Sequence, residues 1–444
     1  MRNDEPLRGD GSRRRFLRQA AGVGLAATAV LTDDALVRAR AAVDRVGERD
    51  PDDVARDEAF WREIQLGFTL DRSIINLNNG GVSPSPRVVH EAYKRYLDVS
   101  NQSPAYHMWQ VLEPNREAVR RKLAASAGCD PEELAITRNA SEALQIAQLG
   151  IDLAPGDEVL TTNQDYGRML DTWEQRVKRN GIVLKKISFP VPPPSMADLA
   201  TRFEAAVTAK TKVIHVCHIT NLTGQIFPIQ QICRMARAKG IRTIVDGAHA
   251  YGHFPFALRD LECDYYGTSL HKWLLAPVGT GFLYVRRPLI KDLWPLTPAN
   301  ARLKDDIRKF EEIGTHPAAT ALSVAEALVF QETIGMPRKA ARLRYLRHRW
   351  ADRLKTQPRF HIHTSFDPAQ AGAIGTVGLD GLTPPAIATT LWDTARIIVT
   401  PIVHDEYAGV RVTPNLYTTL DEVDTFAAAM ERLKPAEPPA RSAG

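Results

Sequence analysis

Short apolar runs alternate with stretches of helical periodicity through the middle of the chain. The alternation predicts strands at 134–137, 158–161, 182–187, 212–216 and 242–245, with helices over about 142–149, 168–179, 196–207 and 229–239 between them. A further apolar run at 282–285, after a Gly/Pro-rich turn, reads as a buried strand. Upstream, a short apolar strand near 74–77 enters an Asn/Gly/Pro loop, from which Ser85 and Pro86 open a helix to about residue 99. Another helix is expected over 114–127. Strands separated by helices argue for a mainly parallel sheet covered on both faces, an α/β fold whose ligand crevice lies at the carboxyl ends of the strands. Beyond about residue 298 the character changes. A helix near 337–355, short strands near 373–378, 396–399 and 409–412, and helices near 384–392 and 421–433 predict a smaller α+β domain. The expected partition is a leader at 1–45, an arm at 46–75, a large domain at 76–298, a small domain at 299–434 and a polar, Pro-rich tail at 435–444.

Composition alters this picture little. At 444 residues the chain is longer than one hydrophobic core usually supports, and 44% hydrophobic with 25% charged residues is ordinary for a folded globular protein. The formal charge is +5, but the first 45 residues hold nine Arg against six acidic residues, so only about +2 remains elsewhere. No basic stripe with interleaved aromatics is present, which argues against a nucleic-acid partner. The four cysteines, Cys129, Cys217, Cys233 and Cys263, have no CxxC spacing, so neither a disulfide framework nor a zinc knuckle is implied. His249 and His253 stand four apart, but Gly247 and Gly252 oppose the helix that would put both rings on one face, and no metal site is expected.

The N-terminus carries Arg13, Arg14 and Arg15 before Phe16 and Leu17, followed by an uncharged run from Ala20 to Leu31. A basic patch before a short apolar segment reads as an export leader. The arginine pair with Phe16 and Leu17 resembles a twin-arginine signal, implying the twin-arginine export machinery as a partner and a periplasmic or secreted destination. Ala39-Arg40-Ala41 offers an A-x-A cleavage site. The alternative is a basic amphipathic helix on a cytoplasmic protein.

Candidate chemistry collects where the predicted strands end. Ala140 and Ser141 open a helix, where free backbone N–H groups and a hydroxyl suit an anion such as phosphate. Gln164-Asp165-Tyr166 brings an aromatic face, His218-Ile219-Thr220-Asn221 an amide, and Asp246-Gly247-Ala248-His249 a carboxylate and an imidazole. Lys272 follows Thr268, Ser269 and His271 and lies against apolar sequence. Burial disfavours its charged form and suits a Schiff-base nucleophile; the alternative is a strand-end lysine whose ammonium snorkels to water. A carboxylate, an anion cradle, an aromatic plane and a lysine together match the needs of pyridoxal phosphate.

At these residues the sequence resembles the class V aminotransferase family, pyridoxal-phosphate enzymes of fold type I, in its isopenicillin-N-epimerase-like branch. The similarity runs from about Asn76 to Leu433 and is densest in Val245-Asp-Gly-Ala-His249 and Ser269-Leu-His-Lys-Trp273. It implies a large parallel-sheet domain plus a smaller α+β domain, pyridoxal 5'-phosphate as cofactor, and a small amino-acid-type substrate. It also implies a homodimer with the active site at the interface. Lys272 would form the Schiff base and move the α-proton, Asp246 would hold the pyridine nitrogen protonated, and Tyr166 would stack on the ring. Asn221 and His249 match positions near the ring and its phenolic oxygen, while Ala140, Ser141, Ser269 and His271 match the phosphate cradle. Thr315, after Gly314, resembles the loop that reaches a phosphate in the neighbouring subunit. Arg411 matches the clamp on the substrate carboxylate, with Asn79 in the Asn78-Asn79 pair and His107 in the Ala105-Tyr-His-Met-Trp-Gln110 stretch, near Trp109, as candidates to line the substrate side.

The reaction branch is narrowed once by sequence. A desulfurase of the loop-cysteine type needs a thiol in its C-terminal half, and no cysteine follows Cys263. The expected activity is therefore at the amino group or α-carbon of an amino acid or amino-acid-derived metabolite, of aminotransferase or epimerase type. A C–S lyase, or an exported ligand-binding protein that has lost catalysis, are the alternatives.

Overall fold

A computed structural model of the protein describes residues 34–434. Thirteen strands occur among them: β1 (Ile75–Asn76), β2 (Leu134–Thr137), β3 (Glu158–Thr162), β4 (Val183–Ile187), β5 (Thr211–Cys217), β6 (Arg242–Asp246), β7 (Tyr265–Ser269), β8 (Gly281–Val285), β9 (Phe360–Ile362), β10 (Gly375–Leu379), β11 (Ile397–Ile398), β12 (Thr400–Val403) and β13 (Ala408–Val412). The large sheet has seven strands in the order β2-β8-β7-β6-β5-β3-β4. Its helices, among them Ala140–Gly150, Gly167–Asn180, Met196–Ala206 and Ile229–Ala238, fall close to the positions that periodicity predicts. β7 is the strand of this sheet that the apolar pattern does not delimit.

The sheet is parallel except for β8, which runs antiparallel to both β2 and β7. The cause is the link from β7 to β8. Residues 270–280 contain no helix, and a parallel crossover needs a dozen or more residues, usually helical, to return to the same edge. The chain therefore turns back at once, and the turn stays at the carboxyl end of β7. Two apolar clusters flank the sheet. Val216, Val245, Tyr266 and Phe282 belong to one, and Val159, Val213, Ile244 and Leu283 to the other.

The small domain is built on a four-stranded antiparallel sheet, order β12-β13-β10-β9, with the helices Met336–Leu354, Pro384–Ala395 and Leu420–Arg432 in its core. The packing boundary does not fall at 298. Ile307 and Phe310 join one large-domain cluster, while the helices Ala318–Leu322 and Val324–Ile334 join the other. Conversely β1 pairs with β11, and Leu77 sits in the small-domain core. The chain thus crosses between the two units at the Asn78–Gly81 loop, which places that loop beside the cleft.

The predicted leader segment up to residue 33 lies outside the described residues. Its expected last part does not: Ala39-Arg40-Ala41 sits inside the helix Asp34–Val46, where Leu36, Ala39 and Ala42 are buried. Arg38 adds an ion pair to Asp34 at 2.9 Å. Deleting residues 1–41 exposes the surface that Leu36 and Ala39 cover and is expected to cost about 3 kcal/mol relative to a chain beginning at Asp34. Urea unfolding of the two proteins measures the difference; equal midpoints would mean the helix contributes nothing.

Candidate active site

The turn after β7 is held by its own apolar residues. Leu270, Trp273, Leu274, Leu275 and Ala276 are buried, Leu270 donates its N–H to Thr280 O at 2.9 Å, and Ala276 donates to Leu270 O at 3.1 Å. Leu275 takes a left-handed φ of 67°, a conformation that a side chain this size adopts only when its packing holds it there. With its neighbours anchored, Lys272 extends into the cleft, and its Nζ lies 3.1 Å from His249 Nε2. Burial pushes the Lys272 amine down to about 8; Asp246 opposes the shift and Arg411 adds to it. Relative to an ordinary lysine, the neutral fraction at pH 7 rises by about 300-fold.

Asp246 ends β6 one strand away. Its Oδ1 accepts the Ala248 N–H at 2.9 Å, and burial raises its carboxyl to about 6 against the pull of that amide and of Lys272. The following Gly247 is required sterically: a Cβ there would come within 1.9 Å of the Tyr266 ring. A carboxylate at a strand end with one hydrogen bond retains acceptor capacity toward the cavity.

At the other end of the cavity the helix Ala140–Gly150 begins. Asn139 is its N-cap, its Oδ1 accepting from Glu142 N at 2.8 Å, and the Ala140 N–H donates to Ser269 Oγ at 2.9 Å. The amide and hydroxyl of Ser141 are the first-turn groups that these bonds leave. His271 joins them from the turn, with Nδ1 3.2 Å from Thr280 O; burial lowers this imidazole to about 4. The remaining first-turn amide of Ser141, with its hydroxyl and an imidazole beside it at a helix N-terminus, fits a phosphate.

Arg411 arrives from the small domain, on β13 directly opposite Thr400 of β12. Its Nη1 donates to Asn221 O at 2.8 Å; Nη2 donates to Asn78 Oδ1 at 2.7 Å and Thr400 Oγ1 at 3.1 Å. Its Nε and the Oδ1 of Asn221 are buried with no partner. Such groups cost free energy until something polar meets them, so both mark the binding capacity of the cleft.

These groups line one cavity of about 540 Å³, a volume suited to a small ligand. Asp246 fits a pyridine partner and the helix N-terminus a phosphate, with Lys272 and Arg411 lining the same cavity. The residues present therefore fit pyridoxal phosphate. Of the thirteen site residues predicted from sequence, ten line this cavity, including half-exposed Tyr166. Three do not. Asn79 is fully buried and structural: its Nδ2 donates to Asn76 O and Thr413 O, and its Oδ1 accepts from Tyr417 OH. The residue that meets Arg411 is Asn78, because successive side chains of this extended segment point to opposite sides. His107 opens a π-helical turn, His107–Leu112, with its ring against Tyr106 and outside the cavity. Thr315 is exposed on the loop after Gly314 and does not enter the cavity of its own chain.

Thr400 and Gly80 went undetected in the sequence, yet both line the cavity. Thr400 was legible in principle, since a hairpin closing on Asp405 and Glu406 pairs it with Arg411. Gly80 carried only the general signal of an Asn/Gly loop that lets backbone approach a ligand; a Cβ there would come within 3.1 Å of Thr413 and 3.5 Å of Arg411 and His249.

A family model described as Aminotransferase class-V matches residues 75–426. The chain is 30% identical over 398 residues to isopenicillin N epimerase of Amycolatopsis lactamdurans, covering 84% of this chain and 98% of that protein. It is 28% identical over 414 residues to a probable cysteine desulfurase of Halobacterium salinarum, covering 87% and 98%. Among solved structures, a C-DES variant with glycine covalently linked to its PLP cofactor superposes with a TM-score of 0.72 at 23% identity, covering 82% of this chain and all of that one.

The electrostatics of the pair can be tested without any ligand. In cofactor-free protein, acylation of Lys272 by an amine-directed reagent is expected to rise with pH to a midpoint near 8. Asp246 favours the ammonium form, so Asp246→Asn lowers the midpoint further. Peptide mass spectrometry across a pH series reads both, and a midpoint near that of surface lysines would refute the geometry.

Proposed function

Because the chain belongs to the aminotransferase class-V family, whose cofactor is pyridoxal phosphate, we propose that it acts at the amino group or α-carbon of an amino acid or amino-acid-derived metabolite, by transamination or epimerisation. One observation carries this reading: Lys272, Asp246 and Arg411 converge on a single cavity from three separate elements and two domains. Lys272 would be the amine that holds the cofactor, and Asp246 would hold a proton on its pyridine nitrogen. Ser141, His271 and the helix N-terminus hold the phosphate. When bound, pyridoxal phosphate supplies an electron sink that acidifies the α-carbon of an attached amino acid. Arg411, oriented by Asn78 and Thr400, would bind the substrate carboxylate through its guanidinium, and the Lys272 amine would be the base for the α-proton.

Thiol chemistry has less support. Cys217 lines the cavity, but it is buried at the end of β5, where burial and the nearby Asp165 and Asp246 push its thiol well up. A protonated thiol is a poor nucleophile. The 30% identity to an isopenicillin N epimerase supports chemistry at the α-carbon, with a probable cysteine desulfurase at 28% supporting C–S cleavage nearly as well.

Purified protein is expected to absorb at the wavelength of a protonated Schiff base and, after borohydride reduction, to carry the cofactor on Lys272 alone by peptide mass spectrometry. A screen of L- and D-amino acids then identifies substrates from spectral shifts. Arg411→Lys, which loses the bidentate fork, is expected to raise KM at least tenfold. Protein that takes up no cofactor, or carries it on another lysine, would sink the reading.

Export through the twin-arginine pathway is proposed on the basic patch at Arg13–Arg15 and the apolar run after it. A reporter that requires folded export, fused after residue 33, should reach the periplasm and should lose this on Arg13→Lys/Arg14→Lys/Arg15→Lys; retention of the unaltered fusion in the cytoplasm argues against export.

A further inference from the structure

Behind Lys272 lies a series of buried groups that the proposed chemistry does not use. His253 is buried, with Nδ1 2.8 Å from His249 O and Nε2 2.7 Å from the Ala373 N–H. A carbonyl only accepts and an amide N–H only donates, so His253 carries its proton on Nδ1. Its ring stacks on the indole of Trp273, with centroids 4.0 Å apart and planes at 22°. Trp273 is held from two further sides. Its carbonyl oxygen accepts from Lys339, a fully buried lysine whose Nζ also donates to Gln331 Oε1 at 2.7 Å. A Cβ on Gly252 would approach its carbonyl carbon to 3.0 Å.

Fixed this way, the indole N–H donates to His249 Nδ1 at 3.4 Å. An indole has no acceptor, so Nδ1 must be the lone-pair nitrogen and the neutral ring's proton sits on Nε2. That nitrogen is 3.1 Å from Lys272 Nζ. An Nε2–H can donate to the lone pair of an amine, but it meets an ammonium N–H head on.

We propose that Trp273 is a positioning residue whose indole N–H fixes His249 as the Nε2–H tautomer, and that this tautomer holds the neighbouring Lys272 as a neutral amine acceptor. The inference rests on Lys272 being the cofactor lysine. The charged and titratable groups facing Lys272 are His249, Asp246, Arg411, Cys217 and His271; those facing His249 are Lys272, Arg411 and His253. Asp246 and Cys217 favour the ammonium, whereas Arg411 and burial oppose it. The tautomer of His249 adds a directional hydrogen bond to the neutral side of that balance.

Long-range proton–nitrogen NMR on cofactor-free, full-length protein labelled with ¹⁵N-histidine distinguishes the two tautomers, with His249→Gln assigning the signal. The Nε2–H form is expected for His249 at pH 7. Trp273→Phe keeps a ring on His253 but removes the donor, so the signal is expected to move toward Nδ1–H. The acylation midpoint of Lys272 is expected to rise by about one pH unit, a tenfold loss of neutral amine at pH 7. An Nδ1–H signal in the unaltered protein overturns the proposal, and so does an unmoved Lys272 midpoint in the variant. The first measurement needs no substitution, so a variant that fails to fold leaves the test intact. Borohydride trapping on a different lysine refutes the function proposed above without changing the tautomer result, which separates the two failures.

Discussion

The cavity depends on one electrostatic constraint: an amine and a carboxylate are taken out of water in the same cavity without being allowed to neutralise each other fully. A buried ion pair with good geometry would draw the two pKa values apart, the acid down and the amine up. Here burial dominates both groups, lifting Asp246 to about 6 and lowering Lys272 to about 8. Arg411 adds a second cation to the same space and is itself lowered to about 10 by burial. The result is a site with unspent polar capacity, costly to keep empty and ready for an anionic, aromatic, proton-accepting ligand.

The sheet makes that constraint possible. Parallel β2, β3, β5, β6 and β7 end on one edge, so the helix N-terminus after β2, Tyr166 after β3, Asn221 after β5, Asp246 and the turn bearing Lys272 all arrive there. The reversal of β8 keeps the lysine at that edge, because the chain has no helix with which to leave it. The apolar residues of the turn anchor the backbone on both sides of Lys272, which limits the freedom that its long side chain would otherwise spend. Precision in this site comes from packing around the turn more than from hydrogen bonds made by the amine.

The clamp has a different origin. Arg411 is presented by the small domain and oriented by Asn78, at the point where the chain crosses between the two units. Arg411 and the Lys272–Asp246 pair are therefore presented by separate hydrophobic cores that meet at the cleft. His249 braces the turn after β7, with one ring nitrogen toward Lys272 and the other toward Trp273.

The linear sequence by itself determined the α/β alternation, the strand-end residues and the chemistry of the lysine stretch, because side-chain period and turn residues are local properties. Nine of the thirteen proposed site residues follow from motifs at the strand ends of the large sheet, and Arg411 comes from a separate motif within β13. What the sequence left open depends on contacts between distant segments. The direction of β8 follows from the length of a link, and the packing of 307–334 with the large domain from which apolar surface it meets. The choice of Asn78 over Asn79 turns on which side of an extended segment faces the small domain, a fact absent from either residue alone. The tautomer of His249 is the furthest from the sequence, since it is set by an indole 24 residues away that a second histidine and a buried lysine hold in place. Local pattern names the groups; only the tertiary structure decides which of their atoms face each other, because hydrogen-bond direction is a property of the packed chain.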